Sequence, residues 1–185
     1  MSILIVDDSQ DELLLLERIL NNGGYKEIII AMSAGEAFDI LKLGDSSSAD
    51  ASVDLILMDV LMPEIDGIEA CSRIKGDERL KDIPIVIVTA SSDVEKLHWA
   101  FSAGAVDFIT KPYNKVELLA RVRSVLSLKH EMDKRKARER ELEVLNKTLS
   151  EHIEHIKTLR GLIPICASCK KIRDEEGDWQ MVETY

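Results

Sequence analysis

Residues 53–67 read VDLILMDVLMPEIDG, an apolar run from Leu55 to Met58 that stops abruptly at a carboxylate, Asp59. Pro63 and the turn-forming Asp66-Gly67 follow within eight residues. A short apolar run bounded by turn formers predicts a strand buried on both faces, the kind found in parallel sheets. Open α/β sheets bind ligands outside the carboxyl ends of their strands. Asp59 therefore stands where such a fold does its chemistry. What it can do depends on which other side chains reach the same edge.

The flanking sequence supplies the rest of such a sheet. ILIV at 3–6 predicts a first strand ending in Asp7 and Asp8. A helix pattern over 13–20 follows and stops at Asn22-Gly23-Gly24. A second strand is expected over 27–32, then a helix capped by Ser33 with Glu36 three residues on as a capping box. GDSSSADAS at 44–52 reads as a flexible loop. Beyond the opening strand come a helix over 68–74, a strand over 85–88 ending at Thr89, and a helix over 94–103 stopped by Gly104. A strand over 106–109 then leads to Thr110-Lys111-Pro112, and a last helix begins near Asn114. Five β–α repeats with short joints predict a doubly wound parallel sheet covered on both faces.

The chain has 185 residues, enough for one full domain and a smaller piece, because single domains peak at ~100–150 residues. We expect three parts: a domain over 1–125, a long helix over 126–161 and a tail over 162–185. No apolar run approaches the ~18 residues of a membrane span, and no cationic leader is evident, so a soluble cytoplasmic protein is expected. The whole net charge of −10 lies in residues 1–125, which argues against nucleic-acid binding there and suits a cation site.

The expected strand ends bring Asp7, Asp8, Asp59, Thr89 and Lys111 to one edge. Alone, each has an ordinary role as a helix cap, a backbone-bonded hydroxyl or a solvated charge. Together, three carboxylates repel each other and invite a hard divalent cation, Mg²⁺ (or Mn²⁺), held by oxygen ligands and water. A carboxylate beside such an ion can attack a phosphoryl group. Lys111 and the Thr89 hydroxyl would then meet phosphoryl oxygens.

ILIVDD, DLILMDVLMPEIDG, IVIVTAS and AGAVDFITKP occur in an order and spacing that resemble the receiver domain of two-component response regulators, over residues 3 to about 125. The resemblance implies a flavodoxin-like α/β fold with strand order 2-1-3-4-5. It implies that Asp59 is the phosphoacceptor and that Asp7, Asp8, Asp59 and the backbone carbonyl of Leu61 surround the metal. Thr89 becomes the switch hydroxyl, Phe108 the switch aromatic, and Lys111 the lysine before a cis-joined proline. The implied activity is phosphoryl transfer from a sensor histidine kinase or phosphotransfer protein to Asp59, with no enzymatic turnover beyond self-catalysed transfer and loss. The signal would leave through the face formed by the fourth helix, fifth strand and fifth helix.

Residues 113–160 contain neither Gly nor Pro, so one helix can run through them. Its middle, 129–143, is almost wholly charged. Beyond it Leu142, Leu145, Leu149, His152, Ile156, Leu159 and Ile163 alternate three- and four-residue steps, a heptad seam with His152 its one polar member. A parallel coiled-coil homodimer is expected, with Gly161 ending the helix. Cys166-Ala-Ser-Cys169 in the tail has the spacing of half a zinc site. The stretch resembles a zinc-ribbon-like module of bacterial signalling proteins, although a tail with free thiols is the plainer expectation. Cys71 is expected to be a buried apolar residue.

Two other functions are weighed against this. An Asp-nucleophile phosphohydrolase of the haloacid-dehalogenase kind places its nucleophile in a DxD pattern after the first strand, and Asp7-Asp8-Ser9 lacks it. A receiver-like scaffold that never turns over phosphate would not need the complete set of strand-end residues. KRKARER at 134–140 could suggest nucleic acid, but acids lie in and around it (Glu131, Asp133, Glu139, Glu141) and no helix-turn-helix follows, so it reads as a solvated helix face.

Overall fold

The computed structural model describes residues 1–44, 53–90, 94–160, 165–166, 168–173 and 178–181. The loop expected over 44–52 and the stop at Gly161 therefore lie almost wholly or wholly outside the described residues. The chain divides into two compact units, Met1–Asp133 and Lys134–Tyr185.

The first unit is a five-stranded parallel sheet of order β2-β1-β3-β4-β5, the order expected. Its strands are β1 (Ser2–Val6), β2 (Glu27–Ala31), β3 (Leu55–Asp59), β4 (Ile85–Thr89) and β5 (Asp107–Thr110). They alternate with helices α1 (Gln10–Asn22), α2 (Ala34–Leu41), α3 (Gly67–Gly76), α4 (Val94–Ser102) and the start of α5 (Lys115–Arg160).

The strands are apolar on both faces, and successive side chains feed two different cores. Ile3, Ile5, Leu55, Leu57, Val86 and Val88 pack with Leu16 and Leu20 of α1 and Leu118 and Val122 of α5. The intervening Leu4, Val6, Ile56, Met58, Ile85 and Ile87 pack with Leu41 of α2, Ile74 of α3 and Ala100 of α4. Cys71 is fully buried in this second core, as expected.

Helix ends follow the local sequence. Ser33 caps α2 by accepting the Glu36 N–H (3.1 Å). The Glu36 carboxylate accepts from the N–H of Met32 (2.6 Å), one residue before the cap, so the expected box closes one position early. Asp66 caps α3 by accepting the Glu69 N–H (2.7 Å). Asn114 accepts from Val116 (3.0 Å) and Glu117 (3.3 Å) at the start of α5.

The second unit contains the later part of α5 and a small antiparallel hairpin, β6 (Ile172–Arg173) with β7 (Trp179–Gln180). Leu142, Leu145 and Leu149 of the seam are more than half exposed in the single chain. No helix among the described residues is long and apolar enough to cross a membrane.

Gly67 ties α3 to the end of β3. A Cβ at this position would lie 1.9 Å from the Asp59 carbonyl oxygen, inside any allowed contact. Gly67→Ala is expected to cost at least about 1–3 kcal/mol, the usual range for forced overpacking. Urea unfolding that gives an unchanged midpoint for the variant would contradict this packing.

Candidate functional site

The parallel register decides which strand-end residues stand level. Val6 pairs with Met58, so Asp7 emerges beside Asp59 where β1 and β3 part to opposite sides of the sheet. Thr89 pairs with Thr110, and the Lys111 N–H donates to the Thr89 carbonyl (2.8 Å), drawing the turn after β5 back toward β4. The Lys111–Pro112 bond is cis.

Lys111 Nζ lies 2.7 Å from Asp59 Oδ1 and 2.8 Å from Asp7 Oδ2. The remaining oxygens are also engaged. The Leu61 N–H donates to Asp59 Oδ2 (2.7 Å), and the Ser9 N–H donates to Asp7 Oδ1 (2.9 Å). Asp7 and Asp59 are 1% and 5% exposed, so two buried carboxylates share one ammonium group. Burial pushes the Asp59 carboxyl above its ordinary range and the Asp7 charge adds to this, while the bond from Lys111 opposes both. Burial pulls Lys111 down, but its bonds to Asp59 and Asp7 outweigh that and hold the ammonium above its usual range.

Asp8, one residue further, is exposed, and Leu61 is 60% exposed. Among the described residues no three His, Cys, Asp or Glu side chains approach closely enough to hold a metal between them. The donors at hand are carboxylate and main-chain oxygens, and the pair Asp7 and Asp59 carries one more negative charge than Lys111 offsets. Such a set suits a hard cation that keeps several waters, which is the coordination habit of Mg²⁺.

Thr89 is buried at 3% exposure. Phe108 on β5 is half-buried and meets Phe101 of α4 edge to face, with ring centroids 6.1 Å apart. The Arg121 guanidinium sits 5.8 Å from the centre of the Phe108 ring and pairs with Asp107 (2.8 Å).

Tyr113 and Glu12 form a feature the sequence reading missed. The Tyr113 hydroxyl and Glu12 Oε2 are both closed off from solvent without a completed hydrogen bond. Burial, then the facing Glu12 carboxylate, and then Asp7 and Asp59 raise the phenol. The available signal was positional: Glu12 lies one helical turn after Asp8, and Tyr113 lies two residues after Lys111.

These charges set a stability ledger with a definite sign. A carboxyl raised in the folded state binds its proton more tightly there than in the unfolded chain. Stability is thus lost as pH rises from the ordinary value of 3.8 through the raised one. Asp59→Asn is expected to raise the melting temperature at pH 7, by an amount that shrinks as pH falls toward 3.8. Lys111→Ala leaves two buried carboxylates without their cation and is expected to cost about 3–5 kcal/mol at pH 7. Thermal melts from pH 4 to 8 check both, and a destabilised Asp59→Asn variant would refute the electrostatic account.

Comparison with known proteins places this arrangement. The "Response regulator receiver domain" family matches residues 3–123. The transcriptional regulatory protein YvrH of Bacillus subtilis is 44% identical over 126 residues, which are 68% of this chain and 48% of that protein. The response regulator PleD of Caulobacter vibrioides is 36% identical over 137 residues, 74% of this chain and 28% of that protein. The chain thus spans about half the length, or less, of these curated relatives. The crystal structure of a CheY-like response regulator receiver domain protein from Methanospirillum hungatei superposes with a TM-score of 0.61 at 28% identity, covering 71% of this chain and 97% of that one. The chain belongs to the response regulator receiver domain family.

Proposed function

We propose that the protein is a two-component phosphorelay receiver that accepts a phosphoryl group on Asp59. The observation that carries this reading is the shared ammonium: Lys111 bridges the carboxylates of Asp7 and Asp59 at the carboxyl ends of β1 and β3. In the reaction, an Asp59 oxygen attacks the phosphorus of a phosphohistidine. The phosphorus–nitrogen bond breaks as the new phosphorus–oxygen bond forms, and the imidazole nitrogen takes up a proton. The donor is a sensor histidine kinase or phosphotransfer protein.

Lys111 leaves Asp59 to pair with a phosphoryl oxygen, and the Thr89 hydroxyl binds another. Asp7, Asp8, Asp59 and the Leu61 carbonyl would hold Mg²⁺, which neutralises phosphoryl charge when bound. Thr89 then moves toward the phosphoryl group, and Phe108 gives up its place against Phe101 for a more buried one. The face of α4, β5 and α5 is reshaped, which is a two-state element biased by one new charged group.

The seam of α5 joins two copies as a parallel dimer, and receiver state changes how the two helices pack. The protein acts in the cytoplasm, on no substrate but its own aspartyl phosphate, and delivers its output through that dimer or a module it joins.

Asp59→Asn is expected to abolish phosphoryl uptake from a small-molecule acyl phosphate, and undiminished labelling of the variant would refute the acceptor. Beryllofluoride should bind the wild-type chain; no response to it would favour a scaffold that never turns over phosphate. Sedimentation at micromolar concentration is expected to show a dimer. A monomer that becomes no heavier at tenfold higher concentration would remove the seam from the mechanism.

A further inference from the structure

The phosphoryl chemistry occupies the carboxyl ends of the strands and makes no use of a cavity at their amino ends. The cavity opens beside Pro84 and Val106, which precede β4 and β5, and lies wholly within the Met1–Asp133 unit. The last turn of α3 and the loop after it supply Lys75, Lys81 and Asp82, and α5 supplies Val125, Leu128, Lys129 and Met132. Its volume is about 300 Å³. That is room for roughly ten non-hydrogen atoms if each takes the ~30 Å³ of a water in the liquid. Ligand cavities are mostly apolar with a few fixed polar groups. Here Pro84, Val106, Val125, Leu128 and Met132 form an apolar wall, and no lining residue is aromatic.

Two ammonium groups stand in this wall. Lys75 Nζ donates to the carbonyls of Ile83 (2.6 Å) and Lys81 (2.8 Å), which engages two of its three N–H groups. Its stem lies against Gly104, where an added Cβ would come within 2.9 Å of the Lys75 Cγ, so the head is held in place. Burial pulls this ammonium below its ordinary range; Asp82 opposes that, and the charge of Lys129 adds to it. Lys129 is itself only 15% exposed, and its partner is Asp133 (2.5 Å) one turn further along α5. The other lining charges are engaged as well: Asp107 pairs with Arg121 (2.8 Å) and Lys81 with Glu78. Two ammonium groups that repel each other beside an apolar wall are best satisfied by one shared anion with an apolar tail. Asp82 and Asp107 on the same cavity favour a single negative charge over the two of a phosphate monoester.

We propose that this cavity binds a medium-chain aliphatic carboxylate, its head shared by Lys75 and Lys129 and its tail laid along Val106, Val125, Leu128 and Met132. The ligand joins the loop after α3 to α5 at the end of the sheet opposite Asp59. It thus gives the domain a second input, one that acts where α5 passes the edge strand β5 and needs no phosphoryl group.

The test titrates the full chain with octanoate by calorimetry, beside octan-1-ol and 3-phenylpropanoate. One octanoate per chain is expected. Octan-1-ol should bind about tenfold more weakly or worse, the usual loss when a hydrogen bond to a charged group is removed, and 3-phenylpropanoate should also bind more weakly than octanoate. Lys75→Met, which keeps the apolar stem, and Lys129→Gln should each weaken octanoate by about tenfold. Leu128→Glu alters an exposed position and should weaken it similarly while the chain melts as before. In the wild-type chain, amide exchange over 125–132 should slow on binding. No uptake of octanoate, equal binding of octan-1-ol, tighter binding of 3-phenylpropanoate, undiminished binding by both lysine variants, or slowed exchange confined to other segments would overturn the proposal. A chain that takes up no octanoate and whose Leu128→Glu variant sediments lighter than the wild type would assign the wall to a second copy instead.

Discussion

The structure of the receiver edge depends on one cation placed between two buried carboxylates. Lys111 reaches 104 residues back along the chain to Asp7 and also bonds Asp59, so it ties the ends of β1, β3 and β5 together. A buried ion pair with matched partners often contributes little net stability, because desolvation offsets its attraction. Here the partners are not matched: one ammonium faces two carboxylates, and the surplus negative charge has no outlet in water. That imbalance makes the edge receptive to a further cation. In the proposed reaction it also makes Lys111 free to change partners, since Asp7 is still there to hold it when Asp59 is modified.

The rest of the first unit exists to hold that imbalance still. Five strands, apolar on both faces, are clamped between α1 and α5 on one side and α2, α3 and α4 on the other. Close-packed interiors of this kind deform in discrete steps rather than continuously. Gly67 shows how tight the fit is, since α3 starts directly against the carbonyl of Asp59. In the proposed switch, the parts that move are side chains at the rim. Phe108 lies between Phe101 and Arg121, packed but not sealed, which is a suitable place for a ring with two resting positions.

Beyond the receiver the physics changes. Among the described residues, the later part of α5 is largely exposed and carries local ion pairs such as Arg135–Glu139 (3.1 Å), each worth a few tenths of a kcal/mol. Its apolar residues are spent on an exposed stripe that includes Leu142, Leu145 and Leu149. In the proposed dimer this stripe is where a second copy would pack.

The elements and their order were legible because both signals are local. Apolar runs of four residues ending at Asp7, Asp59 and Thr89 mark buried parallel strands and, with them, the side chains at their carboxyl ends, and the mixed stretch 106–110 leads in the same way to Lys111. The cap at Ser33 was equally readable, being a matter of three or four neighbours, whereas Asp66, read as a turn former, caps α3 in the structure. Tertiary structure alone decided the finer site. That Lys111 would divide itself between Asp7 and Asp59, that Asp8 would face outward, and that the Tyr113 hydroxyl and one Glu12 oxygen would be closed off from solvent with an unfinished hydrogen bond are facts of long-range register and packing. A strand's period tells which face a residue takes. It does not tell which of two level carboxylates an ammonium arriving from another strand will reach, because that depends on fractions of an ångström set by the whole sheet.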